Sequence, residues 1–315
     1  MNKPIYKLLD WIDINKINWN TICLNKNAIE ILKRYPNKIN WDNLSLNKNA
    51  IILLNNNLNK INWDNLSLNK NGIYILKKYE NKINWFLLSQ NKNAIKILKN
   101  NQDKINWYNL SLNKNAIELL YNNENKIDWD NLCLNENAID LLKNNLDKVN
   151  WSFLSLNPNA ISILKENIDK IDWSYLCLNE NAIEILKENK ENINWYYLSS
   201  NRKAIELLKE NINNINWSSL SENPNSIELL KENKDKIDWT YLCLNENGIE
   251  ILKENKNKIN WNYLSFNKGI FKLDYEKMRK NFENLEEEIL KEVLKPKRIK
   301  RNLELYGYDI EDMYD

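Results

Sequence analysis

Histidine is absent from all 315 residues, so the commonest general base and the commonest metal ligand are both missing. Glycine (4) and proline (5) are scarce, which argues against a chain built from many tight β-turns. No Gly-rich phosphate loop, paired-Cys zinc spacing or nucleophile signature occurs. No catalytic, cofactor-binding or metal-binding residues can be nominated on this basis, and a protein that is not an enzyme is expected. Carboxylate pairs such as Glu184 and Glu188 recur on one helical face, where solvation explains them better than an acid/base dyad. No apolar run approaches the roughly 18–20 residues that span a bilayer, and Met1 to Asp10 lacks the apolar stretch of a secretion signal. The expectation is therefore no membrane and no secretion.

What the chain has is a period. Twelve tryptophans, from Trp19 through Trp41, Trp63 and onward to Trp261, stand 22 residues apart without a slip. A fixed interval of that length marks a repeat architecture, one elongated array rather than separate globular domains. Residues 150–171 show the unit. Asn150 has the chemistry of an N-cap for a short helix that places Trp151 and Leu154 on one face. A second cap candidate is Asn157, followed by Pro158 at what reads as a first helical position. Ala160, Ile161, Ile163 and Leu164 then give the spacing of a buried helical stripe. Asn167 closes the unit, where the left-handed conformation tolerated by Asn would serve. Two short helices per unit follow.

The residue before the stripe is always small, as at Ala50, Gly72, Ala116 and Ser226, which requires something large pressed against it. The four cysteines, Cys23, Cys133, Cys177 and Cys243, each lie four residues after a repeat Trp, where other units carry Ser. With the nearest pair two repeats apart, they read as reduced structural thiols. A leucine-rich-repeat reading of Trp41, Leu44, Leu46, Asn49, Ile51 and Leu54 has the right period. It fails because counterparts of Leu46 include Gln90, Ser200 and Glu222, and because it leaves the small residue unexplained.

These patterns predict an all-α fold: an α-solenoid of about twelve two-helix repeats, with helical caps at both ends. Residues 1–16 form the N-terminal cap, 17–271 the array, and 272–315 the C-terminal cap. The last carries a stripe of Leu285, Ile289, Leu290, Val293 and Leu294, then a basic stretch Lys295 to Arg301 and a short helix with Ile299, Leu303 and Leu305. Twelve layers at about 8–10 Å each predict an open rod roughly 100 Å long.

The unit Trp-x-x-Leu-Ser-x-Asn-Pro/Lys-Asn-Ala-Ile-x-Ile-Leu, as in Trp151 to Leu164, resembles that of repeat proteins encoded by giant DNA viruses of the mimivirus and phycodnavirus kind. The ending Leu273-Asp274-Tyr275-Glu276-Lys277-Met278 strengthens the resemblance. So do Lys295-Pro296-Lys297-Arg298 and Tyr306-Gly307-Tyr308-Asp309. Most units depart from it by carrying Lys or Glu for the repeat Pro, and Lys295 stands where His is expected. The resemblance implies viral origin and a solenoid, located in the host cytoplasm of an infected cell or in the virion. It carries over no catalytic residue.

Surface columns supply the candidates for contact. Lys38, Lys60, Lys82, Lys104 and Lys126 recur three residues before a repeat Trp, and Tyr175, Tyr197, Tyr241 and Tyr263 stand two residues after one. Residues 1–128 carry 19 basic and 10 acidic side chains, whereas residues 129–268 carry 16 and 21. Lys26, Lys48, Lys70, Lys92 and Lys114 follow the cap-candidate Asn, against the helix dipole. A protein-interaction scaffold is the expected function, its partner a protein and no small-molecule substrate. A virion component bridging capsid or core proteins is the alternative. Nucleic-acid binding through the basic half is disfavoured by a net charge of only +2 and by the lack of interleaved aromatics.

Overall fold

The computed structural model describes residues 4–295 together with Arg298. It is an all-α repeat solenoid, and unit 5 serves for the first eleven of the twelve, counted from Trp19. Its first helix is Trp107–Ser111, its second Ile117–Tyr121, and a 3₁₀ turn, Glu124–Lys126, leads to the next unit. That third element was not expected. Helices this short have no stability of their own, so the packing of their faces holds them. Leu110, Ala116, Leu119 and Leu120 are buried.

Asn106 is the N-cap, its Oδ1 accepting from the Asn109 amide at 2.9 Å. Two other expectations for Asn are corrected. The second helix of unit 7 begins at Ile161, so Asn157 and Pro158 belong to the preceding turn and neither caps nor opens it. Asn167 is not left-handed, with φ −137° and ψ 53°. Its Nδ2 instead donates to the Ile163 carbonyl at 2.9 Å, closing the helix end with its side chain. The small residue also gains a definite neighbour. A Cβ on Gly72 would lie 2.8 Å from Leu66 Cδ1, so the Leu of the unit's own first helix sets the size limit.

Between units, the polar groups are buried and shared. Asn113 Nδ2 donates to the Ser89 carbonyl at 2.9 Å and to the Asn91 carbonyl at 3.1 Å, both in the preceding unit, while its Oδ1 accepts from the Asn115 amide. Asn115 Nδ2 reaches the Lys92 carbonyl at 2.9 Å. Ser111 Oγ donates to the Trp107 carbonyl at 2.9 Å and accepts from the Asp128 amide of the next unit at 3.1 Å. This double duty explains why Ser and Cys alternate there: Cys23 Sγ makes the same pair, to the Trp19 carbonyl and from the Asn40 amide. Among the described residues, no buried side-chain N or O atom lacks a partner, which is what makes so polar a core tolerable. All four thiols are free and buried, and burial pushes Cys133 and Cys177 up to about 11.

The array is not an open rod. Its last unit packs on its first with the contacts that join any two neighbours. The Asn18 amide donates to Ser265 Oγ at 2.8 Å, as the Asp128 amide does to Ser111. Asn18 Nδ2 meets Asn262 Oδ1, matching Asn40 on Asn20. Asn27 Nδ2 reaches the Lys268 carbonyl, matching Asn49 on Lys26. Twelve units bring the ends into register, and the solenoid closes into a ring. With layers about 8–10 Å apart, its circumference is on the order of 100 Å. First helices of successive units pack directly on one another, whereas second helices lie farther apart, as expected for an inner and an outer layer.

At the seam, unit 12 lacks its second helix. Phe271–Leu273 (β2) instead pairs antiparallel with Tyr6–Leu8 (β1), Leu8 opposite Phe271 and Tyr6 opposite Leu273. The N-terminal segment thus contributes a strand where a helical cap was expected. Asp274 then caps a long helix, Tyr275–Val293. Leu285, Ile289, Leu290 and Leu294 are exposed on it. Of the basic stretch, only Lys295 and Arg298 are described, and the expected helix with Ile299, Leu303 and Leu305 lies outside the described residues.

Candidate interaction surfaces

The lysine column is built onto the tryptophan row. Lys60 Nζ sits 4.9 Å from the Trp41 ring centroid, Lys104 4.8 Å from Trp85 and Lys126 4.7 Å from Trp107. Each Trp is half-buried, and its open face attracts the ammonium group nineteen residues later in the chain. Lys38 and Lys82 do not take these seats. Tyr35 packs against Trp19 at 5.2 Å and Tyr79 against Trp63 at 5.4 Å, because these two units carry Tyr where others carry Asn. The rule also crosses the seam, where Lys16 lies 5.5 Å from the Trp261 ring. So Lys60, Lys104 and Lys126 are engaged by the chain itself, while Lys38 and Lys82 remain exposed without a ring beneath them.

The Tyr column lies in the second half of the ring. Tyr175 and Tyr197 are half-buried, and Tyr197 packs on the core with Tyr196 edge-on at 5.3 Å. Tyr241 and Tyr263, in adjacent units, are exposed. In units 2, 3, 5 and 6 the same position is Asn, which spends its amide on the preceding unit, as Asn43 does on the Asn20 carbonyl at 2.8 Å. The four Tyr therefore fall in two pairs of neighbouring units, 8–9 and 11–12, whereas the five lysines belong to units 1 to 5.

Two exposed apolar pairs were missed by the sequence reading. Phe86 and Tyr108, directly after their Trp in units 4 and 5, are 52% and 54% exposed, and Ile52 and Tyr74 on the second helices of units 2 and 3 are 63% and 60% exposed. The signal was available: Asp42, Asp64 and Asp130 occupy the column that holds Phe86 and Tyr108. Tyr196 is the third ring in that column, and the remaining units carry Asn, Ser or Thr; a ring at a position that is otherwise polar is not there for the core.

The long C-terminal helix covers a cleft of about 870 Å³ over units 1 and 2, walled by Ile5, Ile29, Leu53 and Met278. Inside it Glu30 pairs with Lys33 at 2.6 Å and with Lys277. Burial raises the Glu30 pKa, but hydrogen bonds from the two lysines outweigh it and hold the carboxyl below its usual range. Among the described residues no group of three or more His, Cys, Asp or Glu is placed to hold a metal ion, and no helix is long and apolar enough to cross a membrane. Compared with known protein families, curated proteins and solved structures, the chain matches none.

Proposed function

We propose that the chain is a non-enzymatic scaffold that binds other proteins through the surface of its ring. The observation that carries this reading is the placing of Phe86 beside Tyr108 and of Ile52 beside Tyr74, exposed in neighbouring units. The ring core is complete without them, and large apolar side chains grouped on a surface favour contact with a protein partner. The motif resemblance supports a viral setting, the infected-cell cytoplasm or the virion, where such a ring would bridge larger proteins.

Affinity capture from infected cells and from virions, read by mass spectrometry, tests both statements. The expected result is a partner that the ring retains and that F86S/Y108S or I52S/Y74S releases, with the melting curve unchanged. Capture that survives both double variants would overturn the reading.

A further inference from the structure

Closure creates a surface that the linear sequence conceals. The residue after each inner-turn Asn is Lys26, Lys48, Lys70, Lys92 and Lys114 in units 1 to 5, and Lys268 in unit 12. Lys268 is far from Lys26 along the chain, yet the seam makes their units neighbours, as the bond from Asn27 to the Lys268 carbonyl records. Six cations thus occupy consecutive places. Both ends of the run are neutralised: Lys114 pairs with Glu136 at 2.5 Å, and Lys268 with Glu246 at 2.5 Å. Lys26, Lys48, Lys70 and Lys92 between them are exposed and form no ion pair among the described residues.

Four of the six, Lys26, Lys48, Lys70 and Lys268, line a single cavity of about 530 Å³, together with Arg202 of unit 9. Only two carboxylates, Glu222 and Glu246, share it. For residues of units 9 to 12 and 1 to 3 to border one space, this column must face the inside of the ring. An apolar row runs beside the cations: Leu24, Leu46, Leu68, Leu244 and Phe266. The backbone there is fixed by the Asn bonds between units, such as Asn49 to the Lys26 carbonyl at 2.8 Å. The surface is therefore pre-organised, and binding would order only the lysine side chains.

We propose that this inner arc binds an extended, acidic segment of a partner protein, with carboxylates on the lysines and aliphatic side chains on the leucine row. This rests on the protein-binding reading above and specifies one partner chemistry for it. A single-stranded nucleic acid would meet the same charge but would need stacking platforms, and of the bordering side chains only Phe266 is aromatic. The alternating demand, charge beside apolar, is that of an extended peptide, whose side chains point alternately to two sides.

The test is fluorescence anisotropy on the full chain with three labelled probes: a dodecapeptide alternating Glu and Leu, its Lys/Leu counterpart, and a dodecamer of thymidylate. The Glu/Leu peptide should bind, more weakly as salt rises, and the Lys/Leu peptide should not. K48E/K70E should weaken binding at least roughly tenfold, whereas K77E/K96E, the same charge change on the second helices, should leave it within about twofold. If K48E/K70E does not fold by circular dichroism, K48Q/K70Q replaces it with the same expectation. No binding of the Glu/Leu peptide, equal loss in both double variants, or tighter binding of the oligonucleotide would overturn the proposal. Phe86- and Tyr108-dependent capture of a partner would stand in that event, so the two readings fail separately.

Discussion

The junction between units 4 and 5 and the seam between units 12 and 1 do the same work from different starting points. In the first, Asn113 spans to carbonyls 22 and 24 residues earlier, at 3.1 and 2.9 Å. In the second, Asn25 reaches Asn267 at 3.1 Å and Phe266 at 3.4 Å, slipping by one residue on its second bond. Interior junctions close loops of about one unit, whereas the seam bond of Asn18 to Asn262 joins residues 244 apart. Loop-closure entropy makes the longer closure costlier by about 2 kcal/mol. The seam adds the Lys272–Asp10 ion pair and a strand pair, the latter found at no interior junction among the described residues. The difference teaches that the ring is one repeated interface used twelve times, with an extra clasp where the chain is not continuous.

The largest effect should come from the ladder. N113A leaves the buried Ser89 carbonyl and the Asn115 amide unpaired and takes one of two donors from the Asn91 carbonyl, which keeps the Ala94 amide, and should cost about 3–4 kcal/mol in denaturant unfolding. N25A at the seam should cost about half as much, because its bonds are longer. Equal losses would mean that the seam is as tight as the interior. Next, W129A removes a half-buried ring and should cost about 2–3 kcal/mol, below the ~3–5 of a fully buried one. W261A should cost less than W129A, since its roof is Lys16 at 5.5 Å against Lys148 at 4.5 Å.

Alkaline pH should weaken the interior and spare the seam. Folding raises the Cys133 and Cys177 thiols from about 9 to about 11. Between those values the unfolded chain loses protons that the ring retains, so stability falls as pH rises, by about 1.4 kcal/mol per pH unit for each thiol. C133S/C177S should reduce that slope in pH-dependent melts, leaving the part due to Cys23 and Cys243, which burial also raises, whereas the seam carries Ser265 and contributes none. Smallest, S111A should cost about 1–2 kcal/mol and S111C under about 1, since sulfur keeps both contacts. A loss in S111C as large as in S111A would sink the account of why Ser and Cys alternate.

Much of the unit was legible because each residue speaks locally. Asn106 before Trp107, Leu110 three residues later and Ala116 before the stripe have the roles their chemistry suggests. The turns were misread where one residue type serves several purposes. Asn113, Asn115 and Asn123 are alike in sequence, yet the first two bind the preceding unit and the third its own helix end. Closure was not legible, because curvature accumulates from small rotations that no single residue encodes. Of the surface candidates, the lysines looked free only because the open face of the Trp ring beneath Lys60 or Lys104 is a property of packing. Phe86 and Tyr108 could have been found by asking which columns change character.

Register at the seam has a consequence for the gene. A full circle shared among twelve units assigns about 30° to each. An open solenoid tolerates duplication or loss of 66 nucleotides, since every local contact survives and the rod merely changes length. Here a total of eleven or thirteen copies would leave each interior junction intact and the last unit unable to meet the first. Recombination between such similar repeats would then be judged as one event, at Asn18 and Ser265, so copy number behaves as a single selectable trait.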